Sequence, residues 1–201
     1  MKKLGALVFP GFELLDLFGP LEMFGMLKDQ FENVILAEEP GLVRSNGGPS
    51  VLAEAGFEAA GYDLLLVPGG MGTRREIENA RLGDWLVRAG GRSEILMSVC
   101  TGSALLARAG LLDGRRATSN KMAFDWVRKI GPSVDWVPEA RWVEDGNIFT
   151  SSGVSAGMDM SLAVIARLHG TEVARKIAAA AEYHWQEDAR LDPFARLHGL
   201  V

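Results

Sequence analysis

Ile95-Leu-Met-Ser-Val99, Cys100 and Thr101-Gly-Ser-Ala-Leu-Leu106 follow one another without a break: an apolar run stops at a cysteine, and a second apolar run starts behind a small residue and a glycine. The pattern reads as a buried strand driving directly into a helix. A sharp strand-to-helix turn holds a side chain out of the carboxyl edge of a sheet, above the first free N–H groups of the helix with their partial positive charge. That setting lowers the pKa of a thiol, so the expected reactive form of Cys100 is the thiolate. A lone cysteine is otherwise a small buried hydrophobe. Thr101-Gly102-Ser103 favours the first reading, because a tight turn requires small residues and a core cysteine does not.

Working outward, strands alternate with helices. Leu4 to Phe9 reads as a buried first strand closed by Pro10-Gly11, and a helix with a broad apolar stripe follows from about Phe12, with Gly19-Pro20 as an expected kink or break. Further strands are expected at 33–37, 50–53, 62–67 and 95–99, with a short one at Ala117-Thr118. Helices are expected at 80–89, 103–109, 122–129, 154–169 and 171–185. Val134 to Val137 and Arg141 to Val143 read as a hairpin-like pair, and Asp145-Gly146 as a turn into Ile148-Phe-Thr150. This alternation implies an α/β fold with a mostly parallel sheet covered on both faces and ligands at the strands' carboxyl ends. Pro68-Gly-Gly70, Cys100-Thr-Gly102 and Ser151-Ser-Gly153 all follow candidate strands and are expected to converge on that edge.

The 201 residues suit one domain, with 186–201 as a polar extension or arm that packs on the domain or on a partner subunit. A hydrophobic content of 48% with 23% charged residues is that of a globular protein, and no segment has the uninterrupted apolar length of a membrane span. Behind Met1-Lys2-Lys3 the apolar stretch breaks at Pro10-Gly11 and meets Glu13 and Asp16, which does not fit an export signal; cytoplasm is the expected compartment. One cysteine makes neither an intrachain disulfide nor a thiolate zinc site, and no metal is expected. A net charge of −5 without a basic run argues against nucleic acid as a partner.

A nucleophilic thiol needs N–H donors for the charge that develops on its substrate. The expected donors are Gly70 N–H, in a loop where Gly69 and Gly70 let the backbone come close, and Thr101 N–H directly after the nucleophile. His169, His184 and His198 lie far down the chain, at or near helix ends or in the tail, where capping and surface roles are expected. Asp16 is the more suggestive acid. It sits between leucines just after the first strand, where burial raises a carboxyl's pKa, although it could equally be a helix-start residue favoured by the dipole; Glu13 and Glu22 compete with it. Glu144 and Asp145 read as turn and surface charges, and Trp126, Trp136 and Trp142 as core or interface aromatics.

Leu15-Asp-Leu-Phe-Gly-Pro20, Val67-Pro-Gly-Gly70, Ser98-Val-Cys-Thr-Gly102 and Ser152-Gly-Val-Ser-Ala-Gly-Met-Asp159, in this order, resemble the DJ-1/PfpI (ThiJ/PfpI) superfamily over roughly residues 4 to 185. Within it they look most like the isonitrile (isocyanide) hydratases and the amidotransferase-like sensor domains of AraC-type regulators. The resemblance implies a flavodoxin-like three-layer sandwich, a homodimer, and a cofactor-free hydratase that converts a small electrophilic isocyanide to an N-substituted formamide. It also implies Cys100 as nucleophile, Asp16 as proton-transfer partner, Thr101, Gly69 and Gly70 around the thiol, and Val154 close to it. The protease and glyoxalase branches carry His directly after the cysteine, so Thr101 argues against both. Several relatives carry His where this chain has Asn120, and Asn120-Lys121 is therefore expected to bear on specificity. Two alternatives stand beside the hydratase: a redox or stress sensor acting through oxidation of Cys100, and a regulatory domain, against which the short stretch after residue 185 counts because paired helix-turn-helix units need more chain.

Overall fold

The computed structural model describes residues 1–59 and 61–201. The chain opens with β1 (Lys2–Leu7), α1 (Leu14–Gly25), β2 (Phe31–Leu36) and a two-stranded excursion of β3 (Gly41–Arg44) and β4 (Ser50–Ala53). It continues through β5 (Leu64–Val67), α2 (Thr73–Glu76), α3 (Ala80–Gly90), β6 (Ile95–Val99) and α4 (Gly102–Arg108). Then come β7 (Arg116–Ala117), α5 (Phe124–Ile130), β8 (Asp135–Trp136), β9 (Trp142–Asp145), β10 (Ile148–Ser151), α6 (Ala156–His169), α7 (Thr171–Ala180) and α8 (Pro193–Leu197).

The main sheet has six strands in the order β2-β1-β5-β6-β10-β9, parallel throughout except for the antiparallel edge strand β9. Leu64 to Val67 and Ile95 to Val99 are buried on both faces, which is why these strands are apolar at every position but Ser98. Helices α1, α6 and α7 pack together on one side, and α2, α3 and α5 gather around α4 on the other. The result is the expected three-layer, flavodoxin-like arrangement. Each leucine fully buried in β5 contributes roughly 1.5–3 kcal/mol of apolar transfer, so the sheet centre is a firm base for the loops at its carboxyl edge.

Helix α1 runs through Gly19-Pro20 without the expected break. The two residues sit where α1 crosses α6: a side chain at Gly19 would meet Met158 at 2.8 Å, and one at Gly157 would meet Pro20 at 3.3 Å, so small residues set a close helix contact there. The expected pairing of Val134 to Val137 with Arg141 to Val143 does not form. β8 instead pairs in parallel with β7, and β9 pairs with β10 across Asp145-Gly146, whose glycine supplies φ 63° for the tight turn. The last long helix ends at Ala180 rather than near Trp185 because Glu182 turns to φ 50°, and Tyr183 N–H closes back on Ala178 C=O. Asp159 then holds the exit, accepting from Tyr183 Oη at 2.9 Å and from Gln186 N–H at 2.9 Å.

Candidate active site

Cys100 stands at the end of β6 with φ 57°, in the left-handed region that side-chain-bearing residues rarely adopt. Its surroundings hold it there. Its N–H donates to Ser152 C=O at 3.1 Å, and its C=O accepts from Ser119 Oγ at 2.9 Å and Ser103 Oγ at 3.0 Å. The turn is close-packed as the sequence implied. A Cβ on Gly69 would lie 2.6 Å from Thr101 N and 2.9 Å from Cys100 Cβ, and one on Gly102 would lie 2.2 Å from Val67 O and 2.8 Å from Pro68 O. Gly102→Ala is therefore expected to destabilise the protein by about 2–4 kcal/mol, read as a lowered urea midpoint; an unchanged midpoint would show that the elbow has slack the geometry does not reveal.

The three small-residue loops do converge, since Gly69 and Ser152 both contact the Cys100–Thr101 segment. Asp16 reaches the same place from the first turn of α1. Its Oδ2 accepts from Gly69 N–H at 2.8 Å, 53 residues along the chain, so it does not serve as a helix cap. It is fully buried, while Glu22 is exposed and Glu13 half-buried. Burial above all pushes the Asp16 carboxyl up to about 7, with the Glu13 charge adding to the rise and Gly69 N–H, the Cys100 thiol and Val154 N–H opposing it. No hydrogen bond of ordinary geometry closes between thiol and carboxyl, and Asp16 Oδ1 has no partner among the described residues.

The expectation of a depressed thiol pKa is overturned. Burial, and then the neighbouring Asp16 charge, push the Cys100 thiol up, while Thr101 and Val154 N–H pull it down without prevailing. The turn has the expected geometry, but desolvation at 7% exposure outweighs the donors of a short helix. The thiol and the carboxyl form one coupled unit, and the proton they hold belongs to the pair.

Besides Gly69 N–H on the carboxyl, the donors that act on this pair are Thr101 N–H and Val154 N–H. Val154, which the resemblance placed near the thiol, adopts φ 49°, a marked outlier for a β-branched residue. Gly70 N–H, expected to face the substrate, instead donates to Thr101 Oγ1 at 3.1 Å, and Thr73 Oγ1 donates to the same oxygen at 3.1 Å. Gly70 thus positions Thr101, and its φ of 120° lets its backbone pass Gly11 and Phe12, where a Cβ would lie 2.4 Å from Gly11 O.

Sequence reasoning did not foresee the supports behind this ring. Arg141 donates to Asp159 Oδ2 at 2.8 Å and to Ser155 Oγ at 3.1 Å, and its C=O accepts from Ser152 N–H at 2.9 Å, so one side chain and its backbone brace the loop that presents Val154. Lys121 is buried and donates to Thr118 Oγ1 at 2.8 Å and Ala140 C=O at 2.6 Å, with the Asp192 carboxylate 3.7 Å away. Burial lowers the Lys121 pKa to about 8 against the pull of Asp192. These partners lie 18 and 71 positions apart in the chain, and no local pattern announces them.

None of the three histidines is among the groups that hold the thiol or the carboxyl. His169 packs edge-on against Phe31 with its ring centroid 5.5 Å away. His169 and His184 replaced by Gln are each expected to keep turnover within about tenfold of the parent; a loss above about a hundredfold in either folded variant would restore a Cys-His mechanism. No group of three or more His, Cys, Asp or Glu side chains able to hold a metal ion occurs among the described residues.

Comparison with known proteins fits this geometry. The chain is 31% identical over 182 residues to an isonitrile hydratase from Pseudomonas putida, covering 90% of this chain and 78% of that protein. It is 32% identical over 177 residues to the HTH-type transcriptional regulator CdhR from Pseudomonas aeruginosa, of whose length it spans about half, 52%. Among solved structures, a ThiJ/PfpI family protein from Pseudomonas syringae superimposes with a TM-score of 0.84 at 33% identity, over 96% of this chain and 77% of that one. The profile of the DJ-1/PfpI family matches residues 2–167, and the chain belongs to that family.

Proposed function

We propose that this protein is a cofactor-independent hydratase in which Cys100 and Asp16 add water to an isocyanide to give an N-substituted formamide. The observation that carries the reading is the buried pair itself: a thiol beside a carboxyl whose pKa lies near neutrality, in a ring of backbone N–H donors. The likeness to the Pseudomonas putida isonitrile hydratase supports the substrate class. In the first step Asp16 takes the thiol proton as sulfur bonds to the terminal isocyanide carbon, and returns it to that carbon, leaving a thioimidate. Water then adds to the same carbon and a proton passes to nitrogen. Cleavage of the C–S bond releases the formamide, and the hydroxyl proton returns to sulfur through Asp16. A carboxyl near pKa 7 can both accept and donate within this cycle, which a surface aspartate cannot. Thr101 and Val154 N–H offset charge on sulfur as it leaves.

An oxidation sensor draws less support, because sensing favours an exposed, low-pKa thiol and Cys100 is neither. The regulator relatives favour a second reading, a domain that binds a small ligand without turnover. Formamide production from several alkyl and aryl isocyanides separates the two: turnover supports the hydratase, and tight binding without product supports the ligand sensor. No helix among the described residues is long and apolar enough to cross a membrane, and the reading places the enzyme in the cytoplasm. We also expect a homodimer, as the exposed Leu15 and Phe18 on α1 and the cross-strand pair Leu42 and Leu52 on the hairpin offer apolar surface. Light scattering at micromolar concentration checks this, and a monomer mass would refute it.

A further inference from the structure

The carboxyl-terminal arm lines a cavity beside the site that the mechanism above does not use. A cavity of about 240 Å³ lies between the Ser152–Ser155 loop, the Asn120–Met122 turn and α8, with Phe194 and His198 contributed by the arm. That volume is several times the ~30 Å³ of one liquid water and suits a ring-sized hydrocarbon group. Its apolar wall consists of Met122, Val154 and Phe194, all of which stay substantially exposed while their neighbours Lys121, Asp192 and Ala195 are buried. The cavity borders the elbow through Ser152 in its wall, whose C=O accepts from Cys100 N–H at 3.1 Å, and through Val154 two residues further on.

The arm is fixed to this wall at cost. Arg141 N–H donates to Ala189 C=O at 2.7 Å and Asp192 N–H to Glu139 C=O at 3.1 Å, and Asp192 Oδ1 caps α8 by accepting from Phe194 N–H at 3.1 Å. Lys121 and Asp192 meet with side chains 2% and 0% exposed. A buried ion pair of this kind adds little net stability, but it fixes geometry. Here it locks the residue next to Met122 to the residue two before Phe194, so both sides of the cavity keep one spacing.

We propose that this cavity is the subsite for the apolar substituent of the substrate attacked by Cys100, and that Phe194 of the carboxyl-terminal arm sets the size it accepts. The proposal rests on Cys100 being the reacting atom, but not on the substrate being an isocyanide. The preferred substrate class is then a small electrophile carrying an uncharged alkyl or aryl group.

The test compares Cys100 alkylation by iodoacetamide and by N-benzyl-iodoacetamide, where sulfur displaces iodide, in the parent protein, Phe194→Ala and Phe194→Trp. Intact mass follows the reaction and thermal melting confirms the fold. The ratio of benzyl to unsubstituted rates is expected to fall about tenfold in Phe194→Trp and not in Phe194→Ala. A general loosening of the arm would move both rates together and leave the ratio unchanged. If the ratio is the same in all three proteins, or if Cys100 reacts with neither reagent, the subsite is refuted. If the ratio shifts as expected while no isocyanide is hydrated, the subsite stands and the hydratase reading falls.

Discussion

Cys100→Ser is expected to give a folded protein whose isocyanide turnover is lower by a thousandfold or more, about 4 kcal/mol in the barrier. Serine fits the elbow, because the φ of 57° and the hydrogen bonds to Ser152, Ser119 and Ser103 involve only the backbone of residue 100. The melting temperature should therefore stay close to the parent value. What changes is the chemistry of the atom. Burial already pushes the thiol up, and an alcohol in the same place is far harder to ionise, so Asp16 near pKa 7 can no longer take its proton in step with attack. Formamide production by the purified variant is the measurement, with intact mass confirming that no wild-type protein contaminates it. Activity within about tenfold of the parent, roughly 1.4 kcal/mol, would remove Cys100 as nucleophile and the proposed function with it.

The parts of this site that are legible in the sequence are those that local geometry dictates. A strand ending at a cysteine, followed by Thr-Gly-Ser, announces an elbow, because Gly102 sits 2.2 Å (as a would-be Cβ) from Val67 O and nothing larger fits. Asp16 between two leucines announces a desolvated carboxyl for a similar reason: in the first turn of α1 the leucine at 17 and the aspartate both face inward, while Leu15 turns out. The fold class follows from β5 and β6, whose apolar runs, interrupted only by Ser98, require cover on both faces.

Where the reading failed, a tertiary contact decided the outcome. The direction of the Cys100 pKa depends on how deeply other elements bury it, which the elbow motif does not encode. β3 was missed because only Val43 of its four residues is buried, leaving no alternation for periodicity to find. The strands around Val134 and Trp142 look alike in composition, and their partners, β7 and β10, were settled by neighbours rather than by their own residues. Asn120-Lys121 packs beside the Ser152–Ser155 loop, and Lys121 ties down an arm that begins more than sixty residues later, a contact outside the motif.

Asp16→Asn carries the second large effect, and it separates a proton-transfer role from a structural one because it acts in opposite directions on turnover and stability. The isosteric amide can still accept from Gly69 N–H with its oxygen, so the fold should persist. Without a titrating proton, turnover is expected to fall by about 10²–10⁴-fold, the range of general acid-base catalysis. In the parent, the reactive pair holds one proton. Below about pH 7 it gains a second, so kcat/KM should rise with pH to a plateau with its midpoint near 7, and the variant should lose that limb. The stability effect follows from the same shift. The folded carboxyl titrates near 7 and the unfolded one near 3.8, so between these values the native state keeps a proton that the unfolded state has lost. The contribution to stability therefore falls as pH rises through that window, and it is flat above it. Asp16→Asn removes this penalty, and its stability relative to the parent should improve by about 2–3 kcal/mol between pH 5 and pH 8 in urea titrations. A variant that stays active within about tenfold and leaves the limb near pH 7 in place would show that another group moves the proton. A variant that loses activity but gains no relative stability at high pH would show that the carboxyl is ionised in the resting protein, and that its role is to hold charge rather than to relay a proton.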